Sequence, residues 1–315
     1  MLVTPFVVAN LLVIVGTVFL VFFRMKICTS FGLMDVPDER KLHRHNTPLL
    51  GGLALVLVIL PSIAISVWFG EVGAYRNTIL LFTIATMSMA FVGLADDRHS
   101  LSATARIVIA GAVFSLLAMA DPMFSVRILN FEMLNVRLGV GSWLISIAFT
   151  VLCCVGLVNA VNMADGKNGL VISLCIGWLL ILSYFAPPEL LFAIVPLCAA
   201  LTILLILNLR GLLFLGDGGS YGFATAVGLL TIIIYNTSAS SADRQLSAED
   251  VMLMLSVPVL DSFRLTYVRI RNGRSPMSAD RDHLHHYLQD ALGWPQGLVV
   301  YLIIALLPAA VVTLL

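Results

Sequence analysis

An all-α integral membrane fold, a polytopic bundle of about ten transmembrane helices, is predicted by three observations. Hydrophobic residues fill 60% of the 315 positions, charged residues only 11%, and mean hydropathy is +1.01. Soluble domains hold about 45–50% apolar residues. The apolar runs also recur at the length a bilayer demands, since a hydrocarbon core about 30 Å thick takes roughly 20 helical residues. Finally, the runs are continuous and lack the period-two alternation of barrel strands, so helices are the spanning element.

The first run lies within "MLVTPFVVANLLVIVGTVFLVFFRMK" and covers 3–23. It lacks a basic start and a small-residue cleavage site, so it reads as a retained span rather than a signal peptide. Arg24 and Lys26 follow it, which puts the N-terminus outside and residue 24 onward in the cytoplasm. The next runs cover 51–69, 78–94, 103–120, 142–160, 170–186, 189–207, 220–235, 249–266 and 297–315. The cytoplasmic segments are then 24–50, 95–102, 161–169, 208–219 and 267–296, with short margins into the span ends. Of the 18 Lys and Arg, only Arg76, Arg127, Arg137 and Arg244 fall outside, a lopsided split that supports the topology. The outer connections "GEVGAYRN" and "APPE" are turn-like, and the outer segment 121–141 carries no constellation of acids and histidines. With no repeat, low-complexity stretch or long linker, 1–315 reads as one polytopic domain. Cys28, Cys153, Cys154, Cys175 and Cys198 have no metal-ligand spacing, and neither a disulfide nor a metal cluster is expected from them.

Five polar constellations fall on the predicted cytoplasmic face. In "DVPDERKLHRHNTPLLGG" (35–52), Arg40, Lys41, His43, Arg44 and His45 precede a Gly pair, a composition suited to phosphate or, more plainly, to setting topology beside anionic lipid. In "GLADDRHSLSA" (93–103), Asp96 and Asp97 end a span where both mutual repulsion and the helix dipole disfavour them. Either a cation or substrate group compensates, or Arg98 neutralises a solvated turn. "NAVNMADGKNGL" (159–170) sets Asn159, Asn162, Asp165 and Asn168 in a turn between greasy helices, either to face a ligand or as turn formers. "NLRGLLFLGDGGSYG" (208–222) holds Asp217 among glycines before a span, a candidate Mg²⁺ ligand or a glycine-rich turn, and no Walker loop.

The fifth, "SADRDHLHHYLQDALG" (278–293), carries Asp280, Arg281, Asp282, His283, His285 and His286. Zinc enzymes usually space helical histidines at i and i+4, whereas these stand at i, i+2 and i+3, which points to anion recognition over zinc or a solvated amphipathic helix. On a helix, His283 and His286 would share a face and His285 would point about 100° from His286. One shared active site on the cytoplasmic face is the economical expectation.

Together "DVPDERKLHRHNTPLLGGLA", "GLADDR", "NMADG", "FLGDGGS" and "DRDHLHH" resemble, in order and approximate spacing over nearly the whole chain, the polyprenyl-phosphate N-acetylhexosamine-1-phosphate transferases. The His-x-His-His form resembles the GlcNAc-1-phosphate branch. The resemblance implies a multi-pass enzyme of the bacterial inner membrane that joins UDP-HexNAc to undecaprenyl phosphate, releases UMP and starts a cell-surface glycan. It implies Mg²⁺, with Mn²⁺ as an alternative, and a homodimer by family likeness; the bilayer is a partner and no nucleic acid is expected. Carried over by position, Asp217 and Asp97 would hold metal, and Asp96 and Asp97 would serve metal or lipid phosphate. Asn162, Asp165, Asn168 and Asn208 would contact the nucleotide sugar, and His283, His285, His286 and Arg281 would line the cleft beside Arg40, Lys41 and Arg44. One departure stands out: the family's "DGxDG" is "DGKNG" here, with Lys167 and Asn168 where the family has an apolar residue and a second Asp. Asn both accepts and donates hydrogen bonds, so uridine recognition can survive. The alternative class is a transporter of a phosphorylated solute, which would place polar groups at the bilayer midplane on broken helices.

Overall fold

The computed structural model describes residues 3–37, 46–238, 245–275 and 282–314. Arg40, Lys41, His43, Arg44, His45, Asp280 and Arg281 lie outside the described residues. The helices are α1 (Val3–Phe22), α2 (Arg24–Phe31), α3 (Gly51–Ala54), α4 (Leu60–Phe69), α5 (Arg76–His99), α6 (Ala103–Ala120), α7 (Trp143–Ala164), α8 (Leu170–Phe185), α9 (Leu191–Asn208), α10 (Gly216–Ser238), α11 (Ala248–Arg271), α12 (Leu284–Leu292) and α13 (Gln296–Leu314). A π-helical turn at Leu55–Ile59 joins α3 to α4 just ahead of Pro61, whose ring and missing N–H disturb the regular ladder. Among the described residues nine helices are long and apolar enough to cross a membrane, and Leu170–Phe185 is apolar but shorter. All ten expected runs are therefore helical.

Contacts divide the chain into two compact units. The first comprises Met1–Ser102 and Ala186–Ala226. Within it α1 packs on α4 and α9, and α4 packs on α5. Its predicted cytoplasmic segments gather at one end. Strand β1 (Met34–Asp35) pairs antiparallel with β2 (Thr47–Pro48), Met34 opposite Pro48. The chain then zips onto the α9–α10 connection, with Phe214 N–H donating to Pro48 O at 2.9 Å and Leu50 N–H to Phe214 O at 3.0 Å. Arg24 Nε donates to Leu212 O at 3.2 Å.

The second unit comprises Ala103–Phe185 and Val227–Leu315. Here α7 packs on α6 and α11, and α13 on α8, α11 and α12. Trp178, fully buried, donates from Nε1 to Met254 O at 2.7 Å and ties α8 to α11. Opposite the histidines, the antiparallel hairpin β3 (Ile128–Phe131) and β4 (Val136–Gly139) borders a cavity of about 380 Å³ lined by Asp121, Arg127, Asn130, Arg137 and Tyr235. The length of α7 separates that cavity from the polar turn after Ala164.

Candidate active site

The carboxylates of the first unit sit where helix ends meet. Gly93 faces the start of α10 so closely that a β-carbon there would collide with the Asp217 carbonyl oxygen. One turn later on the same face, Asp97 delivers its carboxylate to the first turn of α10. Its Oδ1 accepts from Asp217 N–H at 2.8 Å and its Oδ2 from Gly218 N–H at 2.9 Å. Two amides that a helix N-terminus leaves unpaired are thereby satisfied, and the positive end of the helix dipole supports the anion. Asp96 is buried, its Oδ1 accepting from Leu101 N–H at 2.7 Å and its Oδ2 from Tyr221 O–H at 3.0 Å. Tyr221 lies one turn beyond Asp217 on α10, so the two helices are stitched twice. Helix α5 ends at Ser100, in left-handed conformation with φ 51°.

Asp217 itself occupies the first turn of α10 and is half-buried. The sequence placed it just before a span, whereas it belongs to the span. Asn208 is buried at the end of α9, and its Nδ2 donates to Leu213 O at 3.0 Å, closing the turn that leads to Asp217.

A hard divalent cation suits this donor set. Asp217, Asp97 and Asp96 offer oxygen only, and Mg²⁺ usually takes one or two carboxylates and completes its shell with water and substrate phosphates. No group of three or more His, Cys, Asp or Glu able to cage a metal occurs among the described residues.

In the second unit, α7 carries Asn162 in its last turn and ends at Asp165, whose N–H donates to Asn162 O at 3.2 Å. Asn168 O accepts from Trp294 Nε1 at 3.0 Å, which fastens this turn to the start of α13. Asn162 in the last turn of α7 and Asp165 and Asn168 in the turn after it are all half-buried. Asn159 lies deeper, its Nδ2 bound to Val155 O one turn back at 2.8 Å.

The histidines depart from the expected geometry. His283 is the N-cap of α12, with extended backbone (φ −72°, ψ 148°), and not part of a helical face. The three rings consequently gather, with centroids 4.4 Å apart for His285 and His286 and 6.5 Å for His283 and His286. His283 and His285 stack at 5.2 Å, with ring planes only 9° apart. His285 is buried against Gly166, and its Nε2 has no hydrogen-bond partner among the described residues. Burial, reinforced by His286, His283 and Lys167 and opposed by Asp261, lowers its pKa to about 3, so the ring is neutral.

Asp261 was not among the expected residues. It stands in α11, its Oδ2 3.0 Å from His283 Nδ1 and its Oδ1 2.8 Å from Arg264 Nη2. It also accepts from Leu284 N–H. The available signal was an acid and an arginine three positions apart inside an otherwise apolar run.

A family model described as glycosyl transferase family 4 matches residues 79–235, which include Asp96, Asp97, Asn162, Asp165, Asn168, Asn208 and Asp217. The chain is similar to the undecaprenyl-phosphate alpha-N-acetylglucosaminyl 1-phosphate transferase of Escherichia coli O157:H7, 28% identical over 289 residues covering 87% of this chain and 74% of the relative. The Salmonella typhi protein of the same name is 28% identical over 286 residues, with 87% and 74% covered. A probable undecaprenyl-phosphate N-acetylglucosaminyl 1-phosphate transferase of Bacillus subtilis (strain 168) is 27% identical over 316 residues, 96% of this chain and 82% of that one. With three of its five polar motifs inside the matched span and similarity running almost end to end, the chain belongs to glycosyl transferase family 4, among the undecaprenyl-phosphate HexNAc-1-phosphate transferases.

Proposed function

We propose that the protein transfers GlcNAc-1-phosphate from UDP-GlcNAc to undecaprenyl phosphate, releasing UMP, at the cytoplasmic face of the bacterial inner membrane, as the first step of a cell-surface glycan. The observation that carries this reading is the meeting of the α5 end, which bears Asp96 and Asp97, with the first turn of α10, which bears Asp217, in a chain of this family. Acids so placed serve a reaction between phosphates only with a cation to offset them.

Asp217, with Asp97 beside it, is assigned to hold Mg²⁺, or Mn²⁺ in its place. The ion when bound would neutralise diphosphate charge and favour UMP as leaving group. Asp97 fixes the α10 terminus on which Asp217 rides, and Asp96 with Tyr221 holds α5 against it. In the second unit the turn Asn162–Asp165–Asn168 is assigned to the nucleotide sugar, and His283 and His286 to phosphate oxygens. His285, buried and neutral, supports the ring stack. Asn208 shapes the turn before Asp217. Arg40, Lys41, Arg44 and Arg281 are assigned to anion binding on sequence grounds alone. The attacking lipid phosphate oxygen forms a bond to the sugar-bearing phosphorus while the bond to the UMP oxygen breaks, so alignment and charge neutralisation dominate.

The test is UMP release by purified protein from UDP-GlcNAc and undecaprenyl phosphate, with and without Mg²⁺, beside UDP-GalNAc. Lipid- and Mg²⁺-dependent release that prefers UDP-GlcNAc supports the proposal. Release with UDP-GalNAc alone reassigns the sugar, and no release from either refutes the activity.

A further inference from the structure

We infer that Asp261 is a positioning residue that aims His283 Nε2 at a protonated phosphate monoester, the headgroup of the lipid acceptor. This inference rests on the transferase reading and adds to it a residue and an acid–base role.

An ionisable group inside a spanning helix is costly and calls for a partner. Asp261 has three. Besides His283 and Arg264, its carboxylate accepts the Leu284 N–H at 3.2–3.3 Å, so it holds the first residues of α12 by ring and backbone alike. Arg264 in turn donates to Asp282 O and lies 5.9 Å over the Tyr287 ring. His283 itself is buried, with Nδ1 turned to Asp261.

An ionised carboxylate only accepts, so His283 Nδ1 must carry hydrogen. In the neutral ring Nε2 is then a lone pair, useless as a donor to a fully ionised diphosphate but suited to take a proton. A phosphate monoester loses its second proton near pH 6, whereas a diphosphate esterified at both ends has none to give near neutrality. The lipid acceptor is thus the reactant that matches. The proton moves from P–OH to Nε2, leaving a dianionic phosphate to attack and an imidazolium whose two N–H groups face Asp261 and phosphate. It returns to the departing UMP phosphate, also a monoester, or to water, so the proton count balances.

The groups facing His283 are compatible with this division. His285 stacks on it and, with a pKa lowered to about 3 by burial, does not compete for the proton. Among the described residues, His286 on α12 lies 6.5 Å from the His283 ring, Asp282 precedes His283 in the chain, Arg264 and Tyr287 lie beside the Asp261 clamp, Lys167 in the α7–α8 turn acts on His285, and Tyr301 of α13 lies within electrostatic reach of Asp261.

The experiment is steady-state kinetics of the full-length protein in lipid nanodiscs with undecaprenyl phosphate, UDP-GlcNAc and Mg²⁺ from about pH 5.5 to 8.5. Asp261→Asn is expected to lower kcat/KM for the lipid roughly 100-fold, to leave KM for UDP-GlcNAc unchanged, and to move the acid limb of the profile to lower pH. Asp261→Glu is expected to restore part of the rate and the limb. His283→Gln, which can still donate to Asp261 but accepts no proton, is expected to abolish the limb and supplies the test should Asp261→Asn not fold. Wild-type turnover with an unchanged pH profile in these variants overturns the inference alone. A wild type that releases no UMP overturns the transferase reading with it.

Discussion

Asp97 and Asp217 are joined through backbone: the Asp97 carboxylate caps the helix whose first turn carries Asp217, at 2.8 Å from the Asp217 amide. The two acids therefore have separable roles. Asp97→Ala strips two amides of their acceptor and should cost about 1–3 kcal/mol of stability, together with most turnover. Asp217→Asn keeps its amide and so keeps the cap. It is expected to melt within a few degrees of wild type while losing most UMP release. Thermal unfolding in detergent and Mg²⁺ titration of the rate check both, and normal turnover with normal Mg²⁺ dependence in Asp217→Asn would remove the metal assignment.

The close approach at Gly93 predicts a backbone effect without any change of chemistry. An added methyl meets the Asp217 carbonyl, an atom fixed by its own helix, so α5 must withdraw and take Asp97 with it. Gly93→Ala should destabilise by about 1–3 kcal/mol and lower turnover in parallel. Gly111→Ala on α6, where a β-carbon meets nothing within 4 Å, is the control and should leave both properties unchanged. Equal melting temperatures for the two variants would show that the contact carries no strain.

The charge split predicts sidedness. In a cysteine-free background, Asn272→Cys at the end of α11 should resist a membrane-impermeant thiol reagent added to intact cells, whereas Leu134→Cys, exposed in the β3–β4 turn, should react. Asn46→Cys, beside the segment that holds Arg40 and Lys41, should behave like Asn272→Cys. Labelling of Asn272→Cys from outside would invert the topology and with it the cytoplasmic assignment.

Spans were legible because bilayer thickness sets helix length and composition. Their ends were not, because ends answer to caps and neighbours. The apolar run 78–94 stops short of Asp96, yet α5 continues to His99, held there by the Asp96 bonds to Leu101 and Tyr221. Which helix faced which was not in the spacing: the approach of Gly93 to Asp217 and the bond from Tyr221 to Asp96 join segments more than 120 positions apart. The histidine geometry failed for a related reason. Helical rotation does not describe His283, whose backbone is extended and whose ring is held by Asp261, 22 positions earlier. Asp261 was hidden by the apolarity of its own run.

His285 makes stability depend on pH in a direction that can be stated in advance. Buried against Gly166, its imidazole has a pKa lowered to about 3, while in the unfolded chain it titrates near 6.5. Above pH 6.5 the ring is neutral in both states and its titration contributes nothing. Between about 6.5 and 3 the unfolded state binds a proton that the folded state refuses, so stability falls as pH falls, by up to about 1.4 kcal/mol per unit. Other groups titrate over the same range, so the wild-type curve alone does not isolate this ring. His285→Phe keeps a flat ring on His283 and removes the titration, and it should flatten the acid side of the curve between about pH 6 and 4. Melting temperatures of both proteins across that range provide the measurement. Parallel curves would mean that His285 gains a proton in the folded protein, and its Nε2 would then have an acceptor.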